Sequence, residues 1–171
     1  KRKSLSIPRL INFEKYLDKR GFFADIISKK LSSSLKFKGN FSNYQISLSS
    51  NNKNVIRGLH YQKPMQAKLV FVIKGKIQDI VLDIDKNSKT FGRYYQFILR
   101  EKDKLLYIPK KFAHGFCALE KSEIIYVLDK NYKNENQHTI KWNDKDLNIK
   151  WMTKKPIISN KDKNGKKFNS I

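Results

Sequence analysis

The sequence predicts an all-β protein, a sandwich or barrel of short strands, and three observations support this prediction. Segments rich in β-branched and aromatic residues recur at intervals of about 8–12 residues through positions 68–129. Short charged connectors separate these segments. Only one stretch, 24–35, has the composition of a helix, and that helix would be short.

The strands are predicted in chain order. Residues 54–70 have the pattern of one buried strand. Residues 68–84 indicate two strands around a Lys-Gly turn at 74–75, because glycine interrupts a β-branched run there. Further strands are expected at 94–100, 105–109, 114–120 and 123–129.

Length and composition indicate a single domain spanning 1–171, since 39% of the residues are hydrophobic. Beyond Trp151 the composition changes to Lys, Asn, Ser and Pro, so 152–171 are expected to form an irregular tail. The sequence has no apolar run of about 18 residues and no signal-peptide pattern, so we expect a cytoplasmic protein without a membrane partner. The single cysteine, Cys117, excludes an internal disulfide and is interpreted as a small buried apolar residue.

The net charge of +22 is compatible with nucleic-acid binding, because clustered Lys and Arg release phosphate counterions. The basic residues are instead scattered from end to end, and no helix-turn-helix, zinc-finger or aromatic-basic RNA motif accompanies them. We therefore expect a solvated lysine surface that attracts anionic small molecules, and no nucleic-acid partner.

Three polar side chains interrupt the apolar pattern of 54–70. Arg57, His60 and Lys68 occupy positions where a purely structural strand would carry Val or Thr. Buried charges need partners, so these side chains are expected to face the inside of a barrel that holds a charged ligand.

Seven blocks of the sequence form a longer co-linear pattern. They are RGFF (20–23), VIRGLHYQ (55–62), QAKLV (66–70), SKTFG (88–92), IPKKFAHGF (108–116), IIY (124–126) and IKWNDKDLNIKW (140–151). In order and approximate spacing they resemble the dTDP-4-dehydrorhamnose 3,5-epimerase family, over about residues 13–162.

The resemblance implies a fold and an activity. The fold would be a double-stranded β-helix of the cupin jelly-roll type, as a homodimer that needs no cofactor. The activity would be 3,5-epimerisation of a dTDP-4-keto-6-deoxy sugar, in deoxysugar biosynthesis for surface polysaccharide. The expected small-molecule partner is therefore a nucleotide-diphosphate sugar.

Epimerisation beside a ketone requires a base, an acid on the opposite face, and a cation or donor at the enolate oxygen. His60 is the candidate base, because an imidazole can accept a proton near neutral pH, with a satisfied core histidine as the alternative. Tyr126 is the candidate acid, since a phenol stays protonated at neutral pH, although it could equally fill the core. Lys68 is expected to hold the enolate oxygen.

Further site residues follow from the resemblance. It implies that Asp162, in ISNKD, orients His60 and that His114 is a second active-site histidine; a solvated acid and a structural histidine are the alternatives. Arg57 and Arg20 fit the diphosphate, because a planar guanidinium binds phosphate oxygens in a bidentate manner. The nucleotide contacts implied by the resemblance are Phe23, Asp25, Gln45 and Tyr132.

Residues 20–25, RGFFAD, would form a clamp for the diphosphate and base that in a dimer could serve the neighbouring subunit's site.

The chain departs from the family pattern at several positions. The segment between His60 and Lys68 is two residues shorter than in better-known members. Aspartate replaces the usual glutamate at 25, and glutamine does so at Gln137. Ser47, also expected to contact the substrate, stands where asparagine is usual. These departures leave the sugar and the nucleotide open.

Other functions also remain open. A related epimerase acting at a single carbon, or on a GDP-linked 4-keto sugar or heptose, and a nucleotide-sugar 3,4-ketoisomerase are close alternatives, although the RGLHYQ and WND blocks favour the 3,5-epimerase. A non-catalytic or metal-binding cupin belongs to another class. A metal cupin needs a His-x-His pair with a carboxylate and a later histidine, and this chain has His60-Tyr61-Gln62 instead, so no metal site is expected.

Overall fold

The apolar segments of the sequence form antiparallel strands that assemble into two facing sheets. The computed structural model describes residues 6–36, 44–131 and 133–171. The strands within these ranges are, in chain order, β1 (Arg9–Ile11), β2 (Tyr16–Asp18), β3 (Gly21–Phe23), β4 (Gln45–Asn51), β5 (Ile56–Gln62), β6 (Lys68–Lys74), β7 (Lys76–Asp83), β8 (Tyr94–Arg100), β9 (Leu105–Ile108), β10 (Phe112–Ala118), β11 (Ser122–Leu128) and β12 (Gln137–Thr139).

The first sheet has the strand order β1-β9-β6-β11-β4, and the second has the order β12-β5-β10-β7-β8. The strands β2 and β3 pair separately as a hairpin. From β4 to β7 the chain alternates between the sheets, as it does again from β8 to β12, which is the winding of a double-stranded β-helix. The all-β prediction is therefore confirmed.

The predicted turn at 74–75 carries the chain from the first sheet to the second. Gly75 has a φ of +82°, and a Cβ there would lie 2.3 Å from the carbonyl oxygen of Lys121, so only glycine fits. The strands predicted between 94 and 129 correspond to β8, β9, β10 and β11, with β10 starting at Phe112 and β11 at Ser122. Alternation and β-branched residues located these strands correctly.

The prediction of one buried strand over 54–70 is wrong. The segment contains β5 and the start of β6, which belong to different sheets. Arg57 and His60 therefore lie on one wall of the barrel, and Lys68 lies on the other. The connecting residues 63–67 read KPMQA, and Pro64 among them is the sequence signal for the break between the two strands.

The core lies between the sheets. Its fully buried members are apolar side chains from both walls, among them Val70, Val72 and Ile124 of the first sheet and Ile77 and Val81 of the second. Each such side chain contributes about 1.5–3 kcal/mol when it leaves water. This packing holds the two walls together and fixes the distance across the cavity described below.

A separate part of the chain covers the outer face of each sheet. The helix α1 (Lys29–Ser34), within the predicted stretch 24–35, begins where the Ser28 hydroxyl accepts a hydrogen bond from the Leu31 N–H, and Leu35 after it is buried against the first sheet. Ile140 and Phe168 pack on the second sheet. Neither described helix is long or apolar enough to cross a membrane.

Residues 152–171, predicted to be irregular, contain the helix α2 (Asn160–Lys163) and one 3-10 turn (Phe168–Ser170). Isolated parallel bridges join Val55 to Ile157 and Ile140 to Lys166. These contacts hold the C-terminal segment against the second sheet and bring α2 next to β5. The assignment of the whole chain to one domain, and its cytoplasmic location, remain predictions.

Candidate active site

A cavity of about 300 Å³ opens between the two sheets, and strands from both walls line it. The predicted site residues in its lining are Gln45, Ser47, Arg57, His60, Lys68, His114 and Tyr126. Asp162 lies behind His60, with its Oδ1 2.6 Å from the His60 Nε2. The fold thus brings the four predicted catalytic residues together, while their roles remain predictions.

A β-bulge in β5 aims two side chains into this cavity. Arg57 and His60 are three positions apart, so regular strand alternation would put them on opposite faces. Their partners on β10, Phe116 and His114, are only two positions apart, which means that β5 carries one extra residue. Gly58 absorbs it with a φ of +112°, where a Cβ would lie 2.6 Å from the His114 carbonyl oxygen. The sequence RGLH therefore delivers arginine and histidine to one face.

His60 forms a tight pair with Asp162. Its Nε2 lies 2.6 Å from Asp162 Oδ1, while Asp162 Oδ2 accepts from the Gly58 N–H at 3.2 Å. Asp162 itself is held by α2, because the Ser159 hydroxyl accepts from the Asp162 N–H at the helix start. Burial would raise the pKa of Asp162, but the hydrogen bonds from His60, Gly58 and Ser159 together hold it below its usual range.

The ionised Asp162 fixes the tautomer of His60. A carboxylate can only accept, so Nε2 of His60 carries the hydrogen and Nδ1 carries the lone pair. The buried carboxylate also stabilises the imidazolium that forms when Nδ1 takes a proton. The pair has the arrangement of a general base with its orienting acid.

A second histidine–carboxylate pair lies beside the first on the same sheet. His114, directly opposite His60 in the β5–β10 register, places its Nε2 2.9 Å from Asp79 Oδ2, and both side chains are buried. Asp79 was missed from the sequence. Its signal is a lone carboxylate between Ile77 and Val81, the inward-facing apolar positions of β7. Among the described residues, Asp79 Oδ1 has no hydrogen-bond partner.

Lys68, at the first position of β6, reaches the cavity from the first sheet. Removal from bulk water lowers the pKa of its ammonium group to about 8, and the negative charge of Asp79 opposes this shift. Lys68 is therefore a weakly solvated cation that an oxyanion would stabilise.

Tyr126 lies on β11, on the wall opposite His60. Its hydroxyl is 3.1 Å from the Ser49 hydroxyl, and its ring contacts His114 edge-on with centroids 6.3 Å apart. Burial raises the pKa of this phenol strongly and the charge of Asp79 adds to the rise, whereas the hydrogen bond with Ser49 and the charge of Arg57 oppose it. Tyr126 is consequently protonated at neutral pH.

The edge strand β4 supplies a polar lining. Its inward-facing residues are Gln45, Ser47, Ser49 and Asn51. Gln45 donates to the Ser47 hydroxyl at 3.1 Å. The outward-facing Ile46 and Leu48 are 64% and 65% exposed, which reverses the usual distribution of polar and apolar residues on a strand.

The predicted clamp does not reach this cavity within one chain. Arg20, Phe23 and Asp25 are exposed on or next to the β2–β3 hairpin, and none of them belongs to the cavity lining. Arg20 instead pairs with Asp18 of the same hairpin at 2.6 Å. Tyr132 lies outside the described residues.

Two glutamines that the sequence reasoning did not identify hold the loop around position 132. Gln62 donates to the Asn131 carbonyl and accepts from the Lys133 N–H, at 3.1 and 2.9 Å. Gln66 donates to the Lys130 carbonyl at 2.9 Å. The backbone groups of Lys130, Asn131 and Lys133 are therefore tied to the rim of the cavity.

Gln137, one of the departures from the family pattern, also lines the cavity. The Lys161 ammonium donates to the Gln137 side-chain oxygen, and it donates to the Asn134 side chain at 3.3 Å. The neutral amide at 137 thus joins α2 to the rim without neutralising Lys161. No group of three or more His, Cys, Asp or Glu side chains in the described ranges could hold a metal ion.

Fold and site together define a jelly-roll protein of the epimerase type, with a histidine–carboxylate pair on one wall and a phenol on the other. The family model described as dTDP-4-dehydrorhamnose 3,5-epimerase matches residues 4–170. The chain belongs to this family, and the predicted family and cupin-like β fold are confirmed.

Individual relatives agree over nearly the full chain. The dTDP-4-dehydrorhamnose 3,5-epimerase of Shigella flexneri is 39% identical over an alignment of 169 residues, and the match covers 95% of this chain and 92% of the relative. A Legionella pneumophila dTDP-6-deoxy-D-glucose-3,5-epimerase, solved with dTDP-4-keto-L-rhamnose, has a TM-score of 0.86 at 33% identity, covering 96% of this chain and 95% of its own. The Bacillus anthracis enzyme with TDP and PPi bound has a TM-score of 0.85 at 34% identity, covering 96% of both chains.

Proposed function

We propose that this protein is a dTDP-sugar 3,5-epimerase that inverts the carbons beside the ketone of a dTDP-4-keto-6-deoxy sugar. One observation carries the proposal: His60 and Tyr126 flank the same cavity from opposite sheets. A base and an acid placed in this way approach a bound sugar ring from its two faces. Inversion of a carbon requires that arrangement.

The base side performs the first step. Nδ1 of His60 takes the proton from C3 or C5, and the electron pair of the broken C–H bond moves into the carbon framework and onto the C4 oxygen. Asp162 keeps the imidazole oriented and balances its new positive charge. Lys68 donates a hydrogen bond to the enolate oxygen, where its charge acts most strongly as negative charge develops.

The acid side performs the second step. Tyr126 transfers its proton to the opposite face of the same carbon, the enolate returns to the ketone, and the phenol oxygen keeps the electron pair. His114 donates its Nε2 hydrogen to Asp79, so its Nδ1 is expected to accept a hydrogen bond from a sugar hydroxyl. Arg57 and the amide and hydroxyl groups of Gln45 and Ser47 are expected to bind the diphosphate and nucleotide at the rim.

The test is NMR of the purified protein with dTDP-4-keto-6-deoxyglucose in D2O. Each epimerised carbon takes up one deuterium. We therefore expect deuterium at C3 and C5, with the configuration of both carbons inverted. A sample with His60→Asn protein serves as the matched control. Label at only one carbon would identify a single-carbon epimerase, and absence of label at both would contradict the proposal.

We further propose that the protein is a homodimer in which the hairpin of one subunit completes the site of the other. Phe23 of the hairpin is 64% exposed, and β4, whose outward residues Ile46 and Leu48 are apolar, forms one edge of the first sheet. An open apolar strand edge is a surface that a second copy can cover. The exposed Arg20 would then reach the partner's diphosphate site.

Mixing two inactive variants tests this arrangement. His60→Asn lacks the base and Arg20→Ala lacks the clamp. If the clamp acts across the dimer, subunit exchange at equal amounts restores about a quarter of the sites, since half the dimers are mixed and each has one intact site. Absence of recovery, with subunit exchange verified by native mass spectrometry, would place the clamp outside the partner's site.

A further inference from the structure

A chain of hydrogen bonds joins the two walls of the cavity through side chains that have no assigned role above. The Arg57 Nε–H donates to Asn51 Oδ1 at 2.7 Å, Asn51 Nδ2 donates to the Ser49 hydroxyl oxygen at 3.0 Å, and that hydroxyl lies 3.1 Å from the Tyr126 hydroxyl. The chain begins at a cation on the second sheet and ends at the phenol on the first. Asn51, which links the two, is only 3% exposed.

The chemistry of Arg57 gives this chain a direction. A guanidinium group has only donors, so the side-chain oxygen of Asn51 must face it and the amide nitrogen must face Ser49. The amide hydrogen then occupies a lone pair of the Ser49 oxygen. Ser49 keeps its hydroxyl hydrogen and a second lone pair for Tyr126, so it can accept from the neutral phenol, whereas a phenolate leaves only donation by Ser49.

That direction matches the charge that proton transfer creates. When Tyr126 protonates the enolate carbon, its O–H bond breaks, a C–H bond forms and the negative charge passes to the phenol oxygen. Ser49 can then donate to the phenolate, and each bond back to Arg57 is polarised in the same sense. Before the next turnover, solvent supplies a new proton to Tyr126 and takes up the proton that His60 removed from the sugar.

We propose that Ser49 and Asn51 are positioning residues that couple the diphosphate-binding Arg57 to the acid Tyr126 and support the phenolate formed during reprotonation. The proposal rests on the proposed epimerase function and deepens it. Arg57 uses its Nε edge for Asn51, so a diphosphate bound by its terminal nitrogens would hold the guanidinium in the orientation that the chain requires. Substrate binding and acid strength are thus linked through one residue.

The first experiment replaces the last link of the chain. Ser49→Ala removes the donor to the phenolate, so kcat for inversion is expected to fall about 10- to 100-fold while KM stays within about twofold. Deuterium exchange without inversion should rise relative to inversion, because enolate formation by His60 is untouched. Ser49→Thr keeps the hydroxyl and should restore most of the rate. Ser50→Ala, on the exposed face of the same strand, is the control.

The second experiment reverses the direction of the hydrogen bond between residue 51 and Ser49 while both side chains remain present. In Asn51→Asp the carboxylate still accepts from Arg57, but it also accepts from Ser49 and turns that hydroxyl away from Tyr126. We expect the same rise in exchange relative to inversion as in Ser49→Ala, with KM unchanged. Asn51→Ala frees Arg57 as well, so its KM should also increase. Thermal unfolding of each variant verifies that it folds.

The outcomes separate this proposal from the function on which it rests. If the parent protein is active and Ser49→Ala has the same ratio of inversion to exchange as the parent, the proposed hydrogen-bond chain is wrong but the epimerase function stands. The same conclusion follows if Ser49→Ala and Ser49→Thr lose equal activity. A parent protein that neither exchanges nor inverts dTDP-4-keto-6-deoxyglucose overturns both, because no enolate is then formed for Tyr126 to protonate.

Discussion

The two walls of the cavity support their reactive groups in opposite ways. On the second sheet, His60 and His114 each rest against a buried carboxylate, so the groups behind the imidazoles are negative. On the first sheet, Tyr126 rests against neutral hydroxyl and amide groups that lead to Arg57. A base is favoured by negative charge behind it, and an acid is favoured by donors and positive charge.

In the proposed mechanism, this difference lets one barrel perform both proton transfers at one pH. The carboxylates that would hinder deprotonation of a phenol are placed on the wall that carries the base. The cation Arg57 lies on the strand that carries the base, but its Nε–H donates to Asn51 and so points toward the acid. The separation is partial, because the charge of Asp79 still raises the pKa of Tyr126 and Arg57 lies on the same strand as His60.

The largest effect is expected from a substitution on the second sheet, which carries the base and is called the base wall. His60→Asn removes the proton acceptor, so both solvent exchange and inversion should fall by about 10²–10⁴ or more. NMR in D2O with a 4-keto sugar nucleotide measures both rates at once. Normal epimerisation by this variant would overturn the assignment of the base.

A substitution on the first sheet, which carries the acid and is called the acid wall, should reduce inversion more than solvent exchange. Tyr126→Phe keeps His60 and Lys68, so the enolate still forms and deuterium still enters at C3 or C5. Inverted product should fall by about 10²–10³, because protons now return mostly from the side that lost them. Equal losses of exchange and inversion would remove the distinction between the two walls.

Sequence patterns identified the parts of this molecule that follow the alternation rule. The strands β6 to β11 alternate or are continuously apolar, and the reactive residues there interrupt a clear pattern. The strand β4 was missed because its serines face inward and Ile46 and Leu48 face outward, the reverse of a structural strand. A polar cavity inside a barrel inverts the rule, and only the partner strands reveal this.

Site residues could be predicted where they carried a recognisable motif or interrupted an apolar strand pattern. His60 and Asp162 lie in blocks with family patterns, although 102 positions separate them. Asp79 and Asn51 carry no motif, since each is a single polar residue whose meaning depends on a neighbouring strand. The bulge at Gly58, which puts Arg57 and His60 on one face, likewise depends on its register with β10.

The charge of Lys68 predicts how the activity of the protein depends on pH. The pKa of its ammonium is lowered to about 8, so as the pH rises through that value the cation at the enolate oxygen is lost and kcat/KM should decline. Lys68→Arg stays charged at all accessible pH values, so the decline should move to higher pH even if the maximal rate falls by about tenfold. A decline at an unchanged pH in Lys68→Arg would assign it to another group.

The smallest effect concerns stability and tests whether the carboxylate on the base wall is ionised. The folded state lowers the pKa of Asp162 below its ordinary value of about 3.9, so its contribution to the free energy of unfolding is complete above about pH 4. That contribution is lost as the pH falls further, through the pKa of the folded state, because the protonated acid no longer accepts from His60 and Gly58. Asp162→Asn lacks this contribution at every pH.

We therefore expect the variant Asp162→Asn to be less stable by about 1.5–3 kcal/mol at pH 7, and the deficit to shrink below about pH 4. Urea unfolding at pH 7 and pH 3 measures the difference, and Asp103→Asn, an exposed carboxylate between β8 and β9, controls for the loss of one charge. A deficit that stayed constant across this range would mean that Asp162 holds α2 against β5 by packing, and that the base wall lacks the negative charge on which its contrast with the acid wall depends.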